Sequence, residues 1–253
     1  MHDIDSSLAA RPIHQPRVVQ RRIAGVLLIA GPAIFLLIEF IVAAAWVDVP
    51  YSYTRNFISN LGVQGPSTLF EQYMFSPLYW LMNASFLVYG FVILAGVILL
   101  KGLTGWRRWV AIVPGIMLAA GSVLLGLFPG SGESVTDGTG DFHSNGAFAA
   151  FFGANILAIS LGVMRQRIGI TRGMGRGLVI VGIIGLFSAV LYIVLLVSGG
   201  ETIGIIGLVE RGATHPFLIG LLCAGASLVR SSASLGSVPT RRAELVSEMS
   251  SAG

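Results

Sequence analysis

Six long apolar runs restrict this chain to a membrane fold. They cover approximately residues 23–47, 78–100, 109–128, 145–164, 177–197 and 213–229. A helix needs about 20 apolar residues to cross roughly 30 Å of hydrocarbon, and each run has about that length. The runs are continuous, whereas strands of a membrane β-barrel alternate over segments of about 10 residues. We therefore predict an all-α fold, a polytopic bundle of six transmembrane helices.

The composition agrees with this fold class. The chain is 54% hydrophobic and only 11% charged, whereas a soluble domain carries about 25% charged residues. The first apolar run follows Arg17, Arg21 and Arg22, as a secretory signal would. It is longer than the roughly 7–15 apolar residues of a signal peptide, so we expect it to remain as a helix.

The basic residues predict an orientation. With six spans, fourteen of the sixteen Lys and Arg residues fall on one side, and only Arg55 and Arg211 fall on the other. The positive-inside rule makes the basic side cytoplasmic. We therefore expect a multi-pass protein of the bacterial inner (plasma) membrane with both termini in the cytoplasm. Contacts between the basic loops and anionic headgroups would explain the pI of about 9.6 without a nucleic-acid partner.

The polar ends of the chain predict three regions. Residues 1–21 and 231–253 are expected to be disordered cytoplasmic tails, and residues 22–230 form the transmembrane domain. Within it, Gly146, Ala150 and Ala154 recur at a spacing of four, which favours close helix packing. A homo-oligomer is also possible.

Glu39 is the most informative single residue. It lies about seven residues, or ~10 Å, inside the outer end of the first span. Burying a lone carboxylate at that depth costs free energy. An ionisable residue inside a membrane span is therefore a candidate for a functional site. We expect Glu39 to pair with Arg211 or Arg55, either as a structural ion pair or as part of a site.

His143 is the second candidate. It opens the fourth apolar run, with Asp141 as an expected N-cap. Spacing places it on the face of Ala147, Ala150 and Ala154, which points into the bundle. Asp137, Asp141 and His143 are weak candidates for a metal site, or for a base with its orienting carboxylate. A structural, hydrogen-bonded histidine is the alternative. No cofactor follows from the sequence.

Four motifs, read in order, resemble those of the DUF998 family. They are YSYTRNFISNLG at 51–62, GLFP at 126–129, His143-Ser144 and Glu210-Arg211. The resemblance extends over roughly residues 22–230 and implies a six-helix bacterial or archaeal membrane protein of undetermined function. It implies no reaction, substrate or cofactor. The residues it highlights are Ser59, Asn60, Gly62, Pro129, His143, Glu210 and Arg211.

Several functions remain open from the sequence. The first is binding or handling of a lipid or amphiphile at an outer polar site formed by Glu39, Arg55, Ser59, Asn60, His143, Glu210 and Arg211, because Arg beside hydrogen-bonding groups suits an anionic headgroup. The second is a membrane-embedded, possibly metal-dependent hydrolase, with His143, Glu39 and Asp141 as catalytic candidates. The third is a proton-coupled transporter or a structural or assembly protein. Whether the chain is an enzyme is left open.

Overall fold

The fold was analysed in a computed structural model. It describes the backbone of residues 15–200 and 203–251, and the side chains of residues 18–200 and 203–232. The helices are α1 Gln15–Ala44, α2 Tyr79–Ile98, α3 Trp106–Leu127, α4 Gly132–Asp137, α5 Gly140–Val163, α6 Arg165–Ile168, α7 Arg172–Val197 and α8 Ile206–Ser251. Between α1 and α2 lie a 3₁₀ turn, Ser59–Gly62, and two short strands, β1 Ser67–Leu69 and β2 Gln72–Met74.

Six of these helices are long and apolar enough to span a membrane: α1, α2, α3, α5, α7 and α8. This confirms the predicted all-α bundle of six spans. Among the residues whose side chains are described, the candidate spans in α1 and α8 are Val18–Ala44 and Ile206–Ser232.

The terminal helices extend beyond the boundaries predicted for the bundle. Helix α1 begins at Gln15, inside the expected N-terminal tail, and Pro16 suits its first turn. Helix α8 continues to Ser251, through the segment expected to be a disordered tail. Residues 240–251 contain Arg, Ala, Glu, Leu and Met, which favour helix regardless of their polarity. Residues 1–14 of the expected N-terminal tail lie outside the described residues.

The six long helices form a ring in chain order. Each packs against its sequence neighbours, α8 closes the ring on α1, and α5 also touches α8. Glycines allow the backbones to approach closely: a Cβ on Gly25 would meet the Gly225 carbonyl, and one on Gly153 would meet the α3 backbone. Gly146, Ala150 and Ala154 are all buried, as the predicted packing face requires.

The two ends of the bundle differ in structure. We call the end with residues 45–78, 128–139, 198–200 and 203–205 the loop face, and the opposite end the basic face. The basic face has short connections between helices, whereas residues 45–78 fold over the loop face. There, β1 and β2 pair antiparallel, with Ser67 opposite Met74. The candidate residues therefore lie on the loop face or just beneath it.

Candidate functional site

A buried ion pair joins α1 to α8 beneath the loop face. The Nη2 atom of Arg211 lies 3.2 Å from Oε1 of Glu39, whose side chain is fully buried. Nε2 of His215 lies 2.8 Å from the other carboxylate oxygen. The predicted pairing of Glu39 with Arg211 is confirmed. His215, one helical turn further along α8, is a second partner, although the prediction named only Arg211 and Arg55.

The remaining donors of Arg211 hold the first loop. Its Nη1 donates to the carbonyls of Tyr53, Asn56 and Gly207 at 2.7, 2.8 and 3.1 Å. Its Nη2 donates to the Tyr51 hydroxyl at 2.5 Å. A guanidinium has five N–H groups, and all three nitrogens of Arg211 already have protein acceptors. Arg211 therefore fastens residues 51–56 to α8.

Tyr51 and Tyr53 also surround the guanidinium of Arg211. Both rings lie against the guanidinium of Arg211, with centroids 5.5 and 5.0 Å from its central carbon. Burial raises the pKa of Tyr51 well above its usual value, because the phenolate would lose its hydration. Tyr51 is therefore a neutral hydroxyl, and it donates in turn to the Phe57 carbonyl at 2.8 Å.

Glu210 fixes the next part of the same loop. Its carboxylate accepts the Ile58 backbone N–H at 2.5 Å, at the start of the 3₁₀ turn. Glu210 is only 4% exposed. The adjacent residues Glu210 and Arg211 thus both bind the loop, where sequence reasoning assigned them to a ligand.

Three side-chain amides meet under the loop. Asn60 Nδ2 donates to Gln72 Oε1 at 2.7 Å, and Asn56 Nδ2 reaches the same oxygen at 3.4 Å. Asn56 Oδ1 accepts the Ser52 N–H at 2.9 Å. Gln72 was missed by sequence reasoning, because nothing in a polar loop marks one amide as buried.

A cleft opens on the loop face between α5 and α7. We call it the His143 cleft, and its volume is about 260 Å³. Its polar lining includes Ser59, Asn60, Asp141, His143 and Ser144. Its apolar lining includes Phe57, Phe70, Val135, Tyr192 and Leu196. Three of the predicted binding residues, Ser59, Asn60 and His143, therefore come together here.

The hydrogen bond of His143 defines its tautomer. Nδ1 lies 2.7 Å from the Phe128 carbonyl oxygen, which can only accept, so we assign the proton to Nδ1. In the neutral ring Nε2 then keeps its lone pair. The ring packs against Gly130, where a Cβ would collide with it. This supports the structural, hydrogen-bonded histidine and leaves one ring nitrogen for chemistry.

The three weak candidates for a metal site, Asp137, Asp141 and His143, do not form a metal-binding group in the described residues. Among the described residues, no three His, Cys, Asp or Glu side chains lie close enough to hold a metal ion. Asp137 instead accepts from the hydroxyl and backbone N–H of Thr139, and these hydrogen bonds lower its pKa. Asp141 is not the N-cap either: α5 begins at Gly140 with Thr139 before it, because α5 starts earlier than the apolar run.

Arg55 lies apart from the other candidates. Its exposed guanidinium donates to the Glu71 carbonyl at 3.3 Å, and it does not contact Glu39. It lines a second cleft, which we call the Arg55 cleft, with Trp46, Gln72 and Tyr73. The seven predicted binding residues are therefore divided between a buried network and two clefts.

Comparison with known proteins identifies the family. The family model described as "Protein of unknown function (DUF998)" matches residues 29–227, most of the chain. This chain belongs to the DUF998 family. The match includes both clefts and the Glu39–Arg211 pair of this DUF998 protein. No curated protein and no solved structure matches it.

Proposed function

We propose that this DUF998 protein binds a lipid or a related amphiphile in the His143 cleft. The observation that carries the proposal is the division of the cleft lining into polar and apolar walls at the end of two membrane-spanning helices. Ser59, Asn60 and His143 would meet the polar end of the ligand. Tyr192 and Leu196 of α7 would meet its apolar part.

The size of the cleft limits what it encloses. Drug-sized ligands occupy pockets of roughly 300–1,000 Å³, and the His143 cleft has about 260 Å³. It therefore suits a headgroup or a chain segment, with the rest of the ligand in the bilayer beside α7. Phe187, Val190 and Val194 of that helix are exposed and suit acyl chains.

In this proposal the buried network of Glu39, Glu210 and Arg211 does not bind the ligand itself. We expected Glu39, Glu210 and Arg211 to contact the ligand, but their polar atoms bind the loop and each other. A headgroup at Arg211 would first have to displace these partners. We infer that the network positions the loop that carries Ser59 and Asn60.

The proposed orientation places the ligand in the outer leaflet. We infer that the basic face lies in the cytoplasm and the loop face outside, in a bacterial inner membrane, because the arginines cluster on one side. The basic loops would then contact anionic headgroups of the inner leaflet.

Lipid retention in two matched tryptophan variants tests the proposal. Ser144 and Asn145 are adjacent and exposed, but only Ser144 lines the cleft. We expect native mass spectrometry of the gently solubilised protein to show a bound lipid that is lost in Ser144→Trp and retained in Asn145→Trp. Equal retention in both variants would contradict binding in this cleft, as would a wild-type protein without bound lipid.

A hydrolase is the second candidate, favoured by one observation. Nε2 of His143 keeps a lone pair beside the cleft, as a general base requires. A catalytic role predicts that His143→Gln binds lipid but no longer hydrolyses an ester or phosphoester probe. The transporter hypothesis gains no such support from Glu39, because both of its carboxylate oxygens are held by Arg211 and His215.

A further inference from the structure

The Arg55 cleft is separate from the His143 cleft. It lies where α1 ends and the first loop begins, and its volume is about 220 Å³. Trp46, Val49 and Pro50 form its apolar side, and Arg55, Gln72 and Tyr73 are among its polar residues. Trp46 comes two residues after the last residue of α1, which is the interfacial level that tryptophan prefers.

Arg55 brings to this cleft a cation without an ion-pair partner in the described part of the chain, and Glu71 also lines the cleft. Its guanidinium is exposed and, among the residues whose side chains are described, donates only to the Glu71 carbonyl, at 3.3 Å. Within the described residues, no carboxylate lies within 4.0 Å of it. Arg211, the other cation of the loop face, is buried with Glu39. Arg55 therefore has donors left for an anion.

Gln72 brings a buried donor without a partner. The residue is 2% exposed, and its Oε1 is occupied by Asn60 and Asn56. Its Nε2 has no hydrogen-bond partner in the described part of the chain. A buried amide donor left unpaired carries a cost in free energy, because it has lost its hydrogen bonds to water. An acceptor supplied by a ligand would remove that cost.

We propose that the Arg55 cleft binds a phosphate oxyanion. Arg55 donates to it as a charged fork and Gln72 Nε2 donates a second contact, while the carbon part of the ligand lies against Trp46 and Pro50. The Tyr73 hydroxyl donates its hydrogen bond to the Asp48 carboxylate at 2.8 Å, so we do not assign it to the phosphate. This site does not depend on ligand binding in the His143 cleft.

The phosphate could belong to an outer-leaflet headgroup or to a soluble phosphate monoester. The two sources share their recognition chemistry and differ in the acyl chains. Glycerol phosphate and dihexanoyl phosphatidylglycerol represent them, and glycerol and dihexanoyl glycerol are the matched probes without phosphate.

Trp46 provides a local reporter of binding. The other three tryptophans, Trp80, Trp106 and Trp109, are 56%, 66% and 61% exposed, so phenylalanine can replace them with little loss of packing. We expect the full-length protein with Trp46 alone, in a neutral detergent, to show a saturable fluorescence change with a phosphate probe. The probes without phosphate should give no saturable change.

Two variants separate the two donors. Arg55→Gln removes the charge at an exposed position, and Gln72→Glu keeps an acceptor for Asn60 while replacing the free N–H₂ with oxygen. Each should raise the apparent Kd for the phosphate probe about tenfold or more. Glu71→Gln is the control: it removes a negative charge from the same cleft and should bind as tightly or more tightly.

Each outcome decides the proposal. Saturable binding of both phosphate probes assigns the site to a soluble phosphate, and binding of the phospholipid probe alone assigns it to a headgroup. No saturable change with either probe overturns the site. An unchanged Kd in Arg55→Gln overturns it as well. Arg55 is exposed, so this substitution should leave the fold intact.

Discussion

At the residue scale, the buried group around Arg211 shows what a sequence can and cannot predict. The depth of Glu39 and the scarcity of cations on its side predicted the ion pair. The carbonyls of Tyr53 and Asn56, which occupy the rest of the guanidinium, belong to the backbone and have no signature in the sequence. The sequence therefore predicts the ion pair, but not that the remaining donors of Arg211 bind the backbone of the first loop.

Removing the charge of Arg211 should be strongly destabilising. Arg211→Leu would leave Glu39 buried beside His215 alone, and loss of one partner of a buried pair costs about 3–5 kcal/mol. We expect a decrease of that size in the free energy of unfolding in detergent. Combining it with Glu39→Gln should cost less than the sum of the two single changes. Strict additivity would show that the pair is not coupled.

At the element scale, the six spans follow from apolar runs, whereas the loop structure does not. Helix α4 and the hairpin are too short to leave a periodic pattern. They are held by side chains from distant segments: the Ser67 hydroxyl in β1 donates to Glu133 of α4 at 2.8 Å and accepts from the Gly132 N–H at 2.9 Å.

The attachment of α4 to β1 should weaken in acid. Hydrogen bonds from its own backbone N–H and from Ser67 and Ser131 lower the pKa of Glu133 below 4.5. A lowered folded-state pKa gives stability that is present above the unfolded value and lost as the pH falls through the folded one. We expect faster hydrogen exchange of α4 amides, corrected for intrinsic rates, below about pH 4.5. In Glu133→Gln this acid-dependent change should disappear.

Close packing of α1 on α8 should be sensitive to added volume. A side chain on Gly225 would meet the Gly25 carbonyl, whereas Gly177 of α7 has open space around it. Gly225→Leu should lower the free energy of unfolding by about 1–3 kcal/mol or more, because two backbones would have to separate. Gly177→Leu should be nearly neutral. Comparable losses in both variants would contradict contact with α1 as the cause; helix propensity would not explain them, because Leu favours helix more than Gly does.

At the scale of the whole molecule, the distribution of arginines predicts the sidedness of the bundle. Cys223 is the sole cysteine of the chain and can be replaced. In that background, a membrane-impermeant maleimide should label Asp137→Cys in cells whose inner membrane is accessible. Arg167→Cys should react only after permeabilisation. The reverse pattern would place the loop face in the cytoplasm and invalidate an outer-leaflet ligand.

The closed ring also has a consequence for synthesis. Glu39 lies on the first span, and both of its partners lie on the last, 172 and 176 residues later in the chain. The ribosome therefore makes an acidic span long before it makes the basic one that neutralises it. A chain that stops short of α8 carries in its first helix a glutamate that lacks both of its partners. The same ion pair thus distinguishes a complete chain from a truncated one.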